Sequence, residues 1–167
     1  MNSGTLIIAG AFLFFCILIL WRLSRSNHKR EKLLLQSLRL LAASSNSSIQ
    51  QHDTWNNSVI GIDNTSSILF CITNVNGNTT EYVINLSTMR SCRIVTTEKK
   101  GYHREDQYHA AEKLELVFTP KENRKPEIIV NFFDAASDGP VVTGELFYIK
   151  KWWLAACGQL TKEKMIS

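Results

Sequence analysis

An apolar run near the start of the chain constrains the structure more than any other sequence feature. The run extends from Thr5 to Trp21 without a charged residue and ends at Arg22. At about 1.5 Å per residue a helix of this length covers roughly 25 Å, and the uncharged tail before it can extend the helix toward the roughly 30 Å of a hydrocarbon core. The sequence therefore predicts a transmembrane helix within residues 1–21 that binds the lipid bilayer through residues 5–21.

The charges around this run favour an uncleaved anchor over a cleaved signal peptide. A signal peptide has basic residues before its apolar core and a small-residue cleavage site after it. Here no Lys or Arg precedes the run, and the basic residues follow it. Because Lys and Arg near a membrane end stay on the cytoplasmic side, we expect a single-pass membrane protein with its N-terminus outside and its soluble domain in the cytoplasm.

A basic cluster directly after the run accounts for the net charge of the whole chain. It contains five bases and one acid, so the formal charge of +4 disappears outside residues 22–32 and the rest of the chain is neutral. A neutral domain lacks the basic surface of a nucleic-acid-binding protein, and we expect no nucleic-acid partner. The cluster either determines membrane topology or recognises anionic headgroups. Its predicted membrane-surface residues are Arg22, Arg25, Lys29, Arg30 and Lys32.

Residues 28–43 have the spacing of an amphipathic helix. Leu34, Leu38 and Leu41 stand at i, i+4 and i+7, with Leu33 and Leu40 broadening the stripe. Residues 22–43 are thus predicted to form a basic juxtamembrane segment and a connector helix, which either continues the membrane helix, packs against the domain or a second protomer, or lies on lipid. The polar residues 44–53 predict a flexible linker.

Residues 54–164 are predicted to form one domain of short antiparallel strands followed by a helix. The pair Asn76-Gly77 is typical of a two-residue type I′ hairpin, because both central residues of that turn take positive φ. Short runs of strand composition predict a four-stranded meander and then a second antiparallel pair. The meander comprises residues 58–63, 67–72, 80–86 and 91–98, and the pair comprises residues 113–119 and 127–133.

The sequence from Thr143 onward returns to helical spacing. Its predicted buried stripe consists of Leu146, Ile149, Trp153, Ala156 and Leu160. Neighbouring side chains on a helix point about 100° apart, so Trp152 cannot share the centre of that stripe. Trp152, with Phe147 or Tyr148, is then a candidate partner-binding surface, with partial burial at the rim of the domain as the alternative.

The order of meander, second sheet and terminal helix, with the phrases VIGID, INLSTMRSC and GELFYIKKWW, resembles bacterial pleckstrin-homology-like (PH-like) domains of single-pass membrane proteins over about residues 55–160. The resemblance implies an α+β fold in which a small antiparallel sandwich or partly open barrel is capped by the C-terminal helix. It also implies a binding scaffold rather than an enzyme. It transfers no lipid-binding residues, because residues 58–73 contain no Lys or Arg.

Side chains that could bind metal or act in catalysis are scattered along the sequence. His103, Asp106 and His109 offer metal ligands in the loop 99–112, but their spacing matches no established ligand template. The chain contains no nucleophile elbow, zinc-protease, phosphate-loop or dinucleotide motif, and we expect no catalytic residue, metal or other cofactor. Three cysteines in the soluble part without CxxC spacing favour a reducing compartment.

Three functional hypotheses follow from the sequence. The first is a non-enzymatic binding or scaffold module at the cytoplasmic membrane surface, with an unknown protein partner or self-association. The second is an anionic-lipid surface sensor that uses the basic juxtamembrane segment. The third, and least favoured, is an enzyme that uses the histidine-containing loop.

Overall fold

A computed structural model describes residues 12, 14–16, 29–75, 78–98, 111–139 and 144–166. Of the predicted transmembrane run, residues 12 and 14–16 are described and are helical, and the rest lies outside the described residues, as do Arg22 and Arg25. Within the described residues, no helix is both long and apolar enough to cross a bilayer.

Between residues 29 and 166 the described segments form two antiparallel sheets and three α-helices. The first sheet has the strand order β1-β2-β3-β4 and the second has the order β5-β6-β7, and the described strands do not close into a barrel. The predicted α+β class with two antiparallel sheets is confirmed. In chain order the elements are α1 (29–44), β1 (Gln51–Trp55), β2 (Ser58–Asp63), β3 (Ile68–Val75), β4 (Asn78–Asn85), a 3₁₀ turn (Leu86–Thr88), β5 (Met89–Glu98), β6 (Ala111–Pro120), β7 (Ile128–Asp134), α2 (Ala135–Asp138) and α3 (Glu145–Ile166).

The predicted hairpin around Asn76-Gly77 is confirmed by the pairing of its strands. Val75 stands opposite Asn78, so two residues connect β3 to β4. Both connecting residues lie outside the described part of the chain. The pairing nevertheless fixes the register that places Leu69 and Ile84 opposite each other in the core.

Strand β1 lies partly within the segment that the sequence predicts to be a flexible linker. Gln51 pairs with Ile62, and Trp55 pairs with Ser58, so β1 is an edge strand of the first sheet. The start of this strand is polar and exposed, and only Trp55 at its end is buried. The polar composition therefore reflects an edge strand rather than a linker.

Strand β5 is not the fourth strand of the meander, and this sequence prediction is wrong. The 3₁₀ turn after β4 takes the chain out of the first sheet, with buried Leu86 in the core. Asn85 caps the turn by accepting a hydrogen bond from the Ser87 amide at 3.0 Å. Beyond the turn, β5 pairs with β6 in the second sheet.

The main core lies between the two sheets and α3. Its members are buried, large and mostly aliphatic or aromatic, and removing this surface from water is the main source of stability. They include Ile60, Ile62, Leu69, Leu116, Phe118, Phe132, Ile149 and Trp152.

Helix α1 packs on the other face of the first sheet, so the connector contacts the domain itself. Leu38 and Ala42 are buried against Val59, Phe70 and Ile72. Of the arrangements that the sequence leaves open for this helix, packing against the domain is the one observed. The opposite side of the helix, which includes Leu33 and Leu40, is exposed.

A glycine in β2 permits this close approach. A Cβ atom at Gly61 would lie 2.8 Å from Cγ2 of Ile49 and 3.0 Å from Cδ2 of Leu38. Real Cβ contacts are not this short, so a side chain at this position would push the connector away from the sheet.

Candidate functional site

A cleft lies where the first described residues of α1 (29–34, which we call the start of α1) meet the turn between β1 and β2. It has a volume of about 400 Å³, and a neighbouring depression of about 480 Å³ shares Arg30, Leu34 and Asn57 with it. The cleft is also lined by Glu31, Thr54, Trp55 and Asn56, and the depression is also lined by Leu33, Ser37 and Asn74.

One hydrogen bond and one turn build the walls of this cleft. The Thr54 hydroxyl donates to Oε1 of Glu31 at 3.2 Å, which holds the start of α1 beside the end of β1. Asn56 has a φ of 45°, the left-handed conformation that asparagine tolerates better than most residues. A two-residue turn thereby joins β1 to β2 and places its amide side chains at the cleft.

The start of α3 meets the same turn. The Asn56 side-chain amide donates to Oε1 of Glu145 at 2.9 Å, and the Gly144 amide donates to the other oxygen of that carboxylate, also at 2.9 Å. The buried Glu145 carboxylate stands in the first turn of α3, where it opposes the positive end of the helix dipole. The start of α1, the β1–β2 turn and the start of α3 therefore lie together, and we call this region the α1 end of the domain.

A later turn of α3 contacts the opposite end of the first sheet. The Gln159 side chain donates to Oδ1 of Asn64 at 2.7 Å, and Asn64 follows β2. Since Asn56 precedes β2 and contacts Glu145, α3 runs the length of that strand, away from the α1 end.

A series of aromatic contacts leads from the cleft to the surface of α3. Trp55 stacks on Phe132 at 4.5 Å between ring centroids, and its ring centroid lies 6.4 Å from that of Tyr148. Tyr148 is half-buried and meets the Phe147 ring edge-on at 5.7 Å. Phe147 itself is 69% exposed, so it is an aromatic side chain in solvent at the α1 end.

The predicted roles of the adjacent tryptophans are reversed. Trp152 is fully buried and donates its indole N–H to Oδ2 of Asp53 at 2.9 Å, whereas Trp153 is half-buried and donates to the Cys92 carbonyl at 3.0 Å. The prediction that Trp152 forms exposed partner-binding surface is therefore wrong. Of the three residues proposed for that surface, Phe147 is exposed and Tyr148 is partly exposed.

Part of the predicted basic surface also lies at the α1 end. Lys29, Arg30 and Lys32 are exposed at the start of α1, and Arg30 lines the cleft. The remaining two bases of the cluster, Arg22 and Arg25, lie outside the described residues.

Three cysteines of the domain, Cys71, Cys92 and Cys157, have thiol pKa values raised above the ordinary value. Burial raises the pKa of the Cys71 thiol, and burial together with the neighbouring Cys157 raises the pKa of Cys92 to about 12. Burial also raises the pKa of Cys157. Reactive cysteines need a lowered pKa, so none of these three thiols is activated.

The histidine-containing loop cannot be placed in this site. His103, Asp106 and His109 lie outside the described residues. Within the described ranges, no three His, Cys, Asp or Glu side chains come together as a metal site.

The sequence did not predict the asparagine-lined cleft. Its signal is the Trp-Asn-Asn-Ser phrase at residues 55–58, in which two asparagines suit a short hairpin turn. The two asparagines can be recognised as a hairpin turn only when the polar residues before Trp55 are recognised as a strand.

Comparison with known proteins identifies no relative. No family model matches the chain, and no curated protein or solved structure shows significant similarity to it.

Proposed function

We propose that this chain is a single-pass membrane protein that presents its α+β domain at the cytoplasmic membrane surface as a non-enzymatic binding or scaffold module. The packing of α1 on the first sheet is the observation that carries the proposal. Residue 29, the first described residue of α1, is eight positions after Trp21. Eight residues span about 12 Å as a helix and at most about 28 Å when extended, so a domain fixed to α1 stays close to the bilayer.

Two features favour binding over catalysis. The resemblance of residues 55–160 to PH-like domains implies a scaffold. We include in the proposal that this domain is PH-like. The α1 end also combines a polar cleft with exposed apolar and basic side chains, a surface suited to binding. The partner in this proposal is another protein or a second copy of the chain.

The anchor and its orientation are tested together by labelling single introduced cysteines in sealed cells. Ser91→Cys places a thiol at an exposed position of β5, and Ser3→Cys places one before the apolar run. A membrane-impermeant maleimide should label Ser3→Cys in intact cells and label Ser91→Cys only after lysis. A background with Cys16→Ser and Cys157→Ser removes the partly exposed native thiols.

Labelling of Ser91→Cys in intact cells would overturn the cytoplasmic orientation. Recovery of the chain in the soluble fraction after alkaline washing of membranes would overturn the anchor itself.

Anionic-lipid sensing is a second candidate function, favoured by the exposure of Lys29, Arg30 and Lys32 at the start of α1. Basic residues close to a membrane surface attract anionic lipid by about 1 kcal/mol each. A chain lacking residues 1–21 should then sediment with phosphatidylglycerol vesicles and lose this binding when the three bases are replaced by Gln. Absence of binding by the unsubstituted chain would remove this candidate and leave the scaffold proposal standing.

A further inference from the structure

We infer that Phe147 is a second point of membrane contact, which inserts its ring into the interfacial layer of an anionic bilayer and turns the α1 end of the domain toward the lipid. This inference rests on the proposed anchoring of the chain. It adds an orientation for the domain and identifies a residue of the folded part that contacts lipid.

The position of Phe147 follows from the contacts at the α1 end. Glu145, two residues before it, is bonded to Asn56 in the β1–β2 turn. Asn56 and Arg30 line the same cleft. Phe147 is therefore at the end of the domain where the chain arrives from the predicted membrane segment.

The length of the connection keeps this end near the bilayer. The eight positions between Trp21 and residue 29 span about 12 Å if helical. A domain of about 110 residues has a radius of gyration near 13 Å, so a helical connection is no longer than that radius. The Thr54–Glu31 hydrogen bond joins the α1 end to the start of α1, and Leu38 and Ala42 hold the rest of α1 on the sheet. In the inferred orientation the α1 end therefore lies closest to the lipid.

The chemistry of this end suits a lipid interface. Phe147 is 69% exposed, and its neighbour Leu146 is 44% exposed. Lys29, Arg30 and Lys32 are exposed at the start of α1. The two acids at this end accept hydrogen bonds within the protein, Glu31 from Thr54 and Glu145 from Asn56. Exposed Phe and Leu side chains beside basic residues bury at the boundary between headgroups and acyl chains, and exposed bases favour anionic lipid.

Leu154 provides a matched control on the same helix. It is 62% exposed and stands seven residues after Phe147, so the two side chains lie on nearly the same face about 10 Å apart along the axis. Because α3 runs away from the α1 end, Leu154 lies farther from the bilayer in the inferred orientation.

The test measures quenching of a new indole by brominated lipid. The full-length chain, as wild type, Phe147→Trp or Leu154→Trp, is reconstituted into phosphatidylcholine–phosphatidylglycerol vesicles with bromine atoms near the headgroup end of the acyl chains. Subtracting the wild-type spectrum removes the emission of the four native tryptophans. The emission added by Phe147→Trp should be mostly lost on brominated lipid, and that added by Leu154→Trp should be retained.

Three results would overturn the inference, and each is distinguishable from failure of the anchor. Equal retention at both positions in vesicle-bound protein shows that Phe147 does not enter lipid. Equal loss at both positions shows that α3 lies flat on the bilayer. Greater loss at Leu154 reverses the orientation. Chains that fail to float with vesicles instead contradict the proposed anchoring, and unchanged unfolding temperatures verify that both substitutions preserve the fold.

Discussion

The indole nitrogen of Trp152 lies 2.9 Å from Oδ2 of Asp53, which joins α3 to the edge strand β1 across 99 residues of sequence. The same carboxylate oxygen lies 2.6 Å from Nζ of Lys151. Asp53 therefore connects two consecutive side chains of α3 to a strand that has one neighbour in its sheet. This contact holds together the layers that position the cleft and Phe147.

Trp152→Phe is expected to destabilise the domain more than Trp153→Phe. The first substitution leaves a gap at a fully buried position and removes a hydrogen bond to a carboxylate, which together cost about 2–4 kcal/mol. The second affects a half-buried ring and a bond to a carbonyl, at a cost of about 1 kcal/mol. Urea unfolding of the full-length chain in detergent micelles, followed by circular dichroism, measures both. Equal losses would contradict the assignment of Trp152 to the core.

Gly61→Ala is expected to weaken the attachment of α1 to the first sheet. The added methyl group would overlap Ile49 and Leu38, and overpacking of this kind costs about 1–3 kcal/mol. Gly158→Ala is the matched control, because no atom lies within 4 Å of its added Cβ and alanine favours a helix over glycine by about 1 kcal/mol. Hydrogen exchange should become faster in residues 29–44 for the first variant and unchanged there for the second. Protection of α1 that survives Gly61→Ala would argue against close packing at this position.

The stability of the domain should decrease in acid because of Asp63. Burial raises the pKa of this carboxyl, but hydrogen bonds from the Ser48, Thr65 and Ser66 amides and the Gln50 side chain outweigh burial and hold its pKa well below the ordinary value of 3.8. The unfolded chain binds this proton first as pH falls, so the stabilisation is complete above the unfolded value and is lost as pH decreases toward the native one.

Asp63→Asn provides the comparison for that pH dependence. The variant should be less stable at neutral pH and should lose less stability between pH values just above and well below 3.8. Unfolding midpoints in urea across this range measure the difference. Parallel pH profiles for the two proteins would show that Asp63 does not contribute to the acid response.

Local patterns of strand composition and turn residues predicted several strands and one hairpin, and the structure confirms them. SVIGID coincides with β2, and the Asn-Gly pair correctly indicated the hairpin between β3 and β4. Of the predicted leucine stripe of α1, Leu34, Leu38 and Leu41 face the sheet, whereas Leu33 and Leu40 are exposed. Period and turn chemistry are local properties, so a sequence pattern carries them directly.

The remaining features depend on contacts distant in sequence. β1 is polar because it is an edge strand, and its partner is needed to distinguish it from a linker. Trp152 and Trp153 fit a helical stripe almost equally well. The indole that enters the core is that of Trp152, which donates a hydrogen bond to Asp53 on β1. The cleft could not be predicted for the same reason, since Glu31, Thr54 and Asn56 meet only after α1 folds onto the sheet.

Thiol reactivity provides a test of the core that needs no substitution in it. Cys71 is fully buried and Cys92 is nearly so, while Cys157 is partly exposed on α3. Burial raises the pKa of all three thiols, to about 12 for Cys92, so both access and thiolate fraction slow their reaction in the folded chain.

In a Cys16→Ser background at neutral pH, a water-soluble maleimide should modify Cys157 first, Cys92 much more slowly and Cys71 only at the rate of unfolding. Mass spectrometry of peptides taken over time measures the order, and Cys157→Ser controls for changes that follow modification of the first thiol. Urea should make the three rates converge, because unfolding removes the burial that separates them. Modification of Cys71 as fast as Cys157 in the folded chain would show that β3 is not enclosed between α1 and the second sheet.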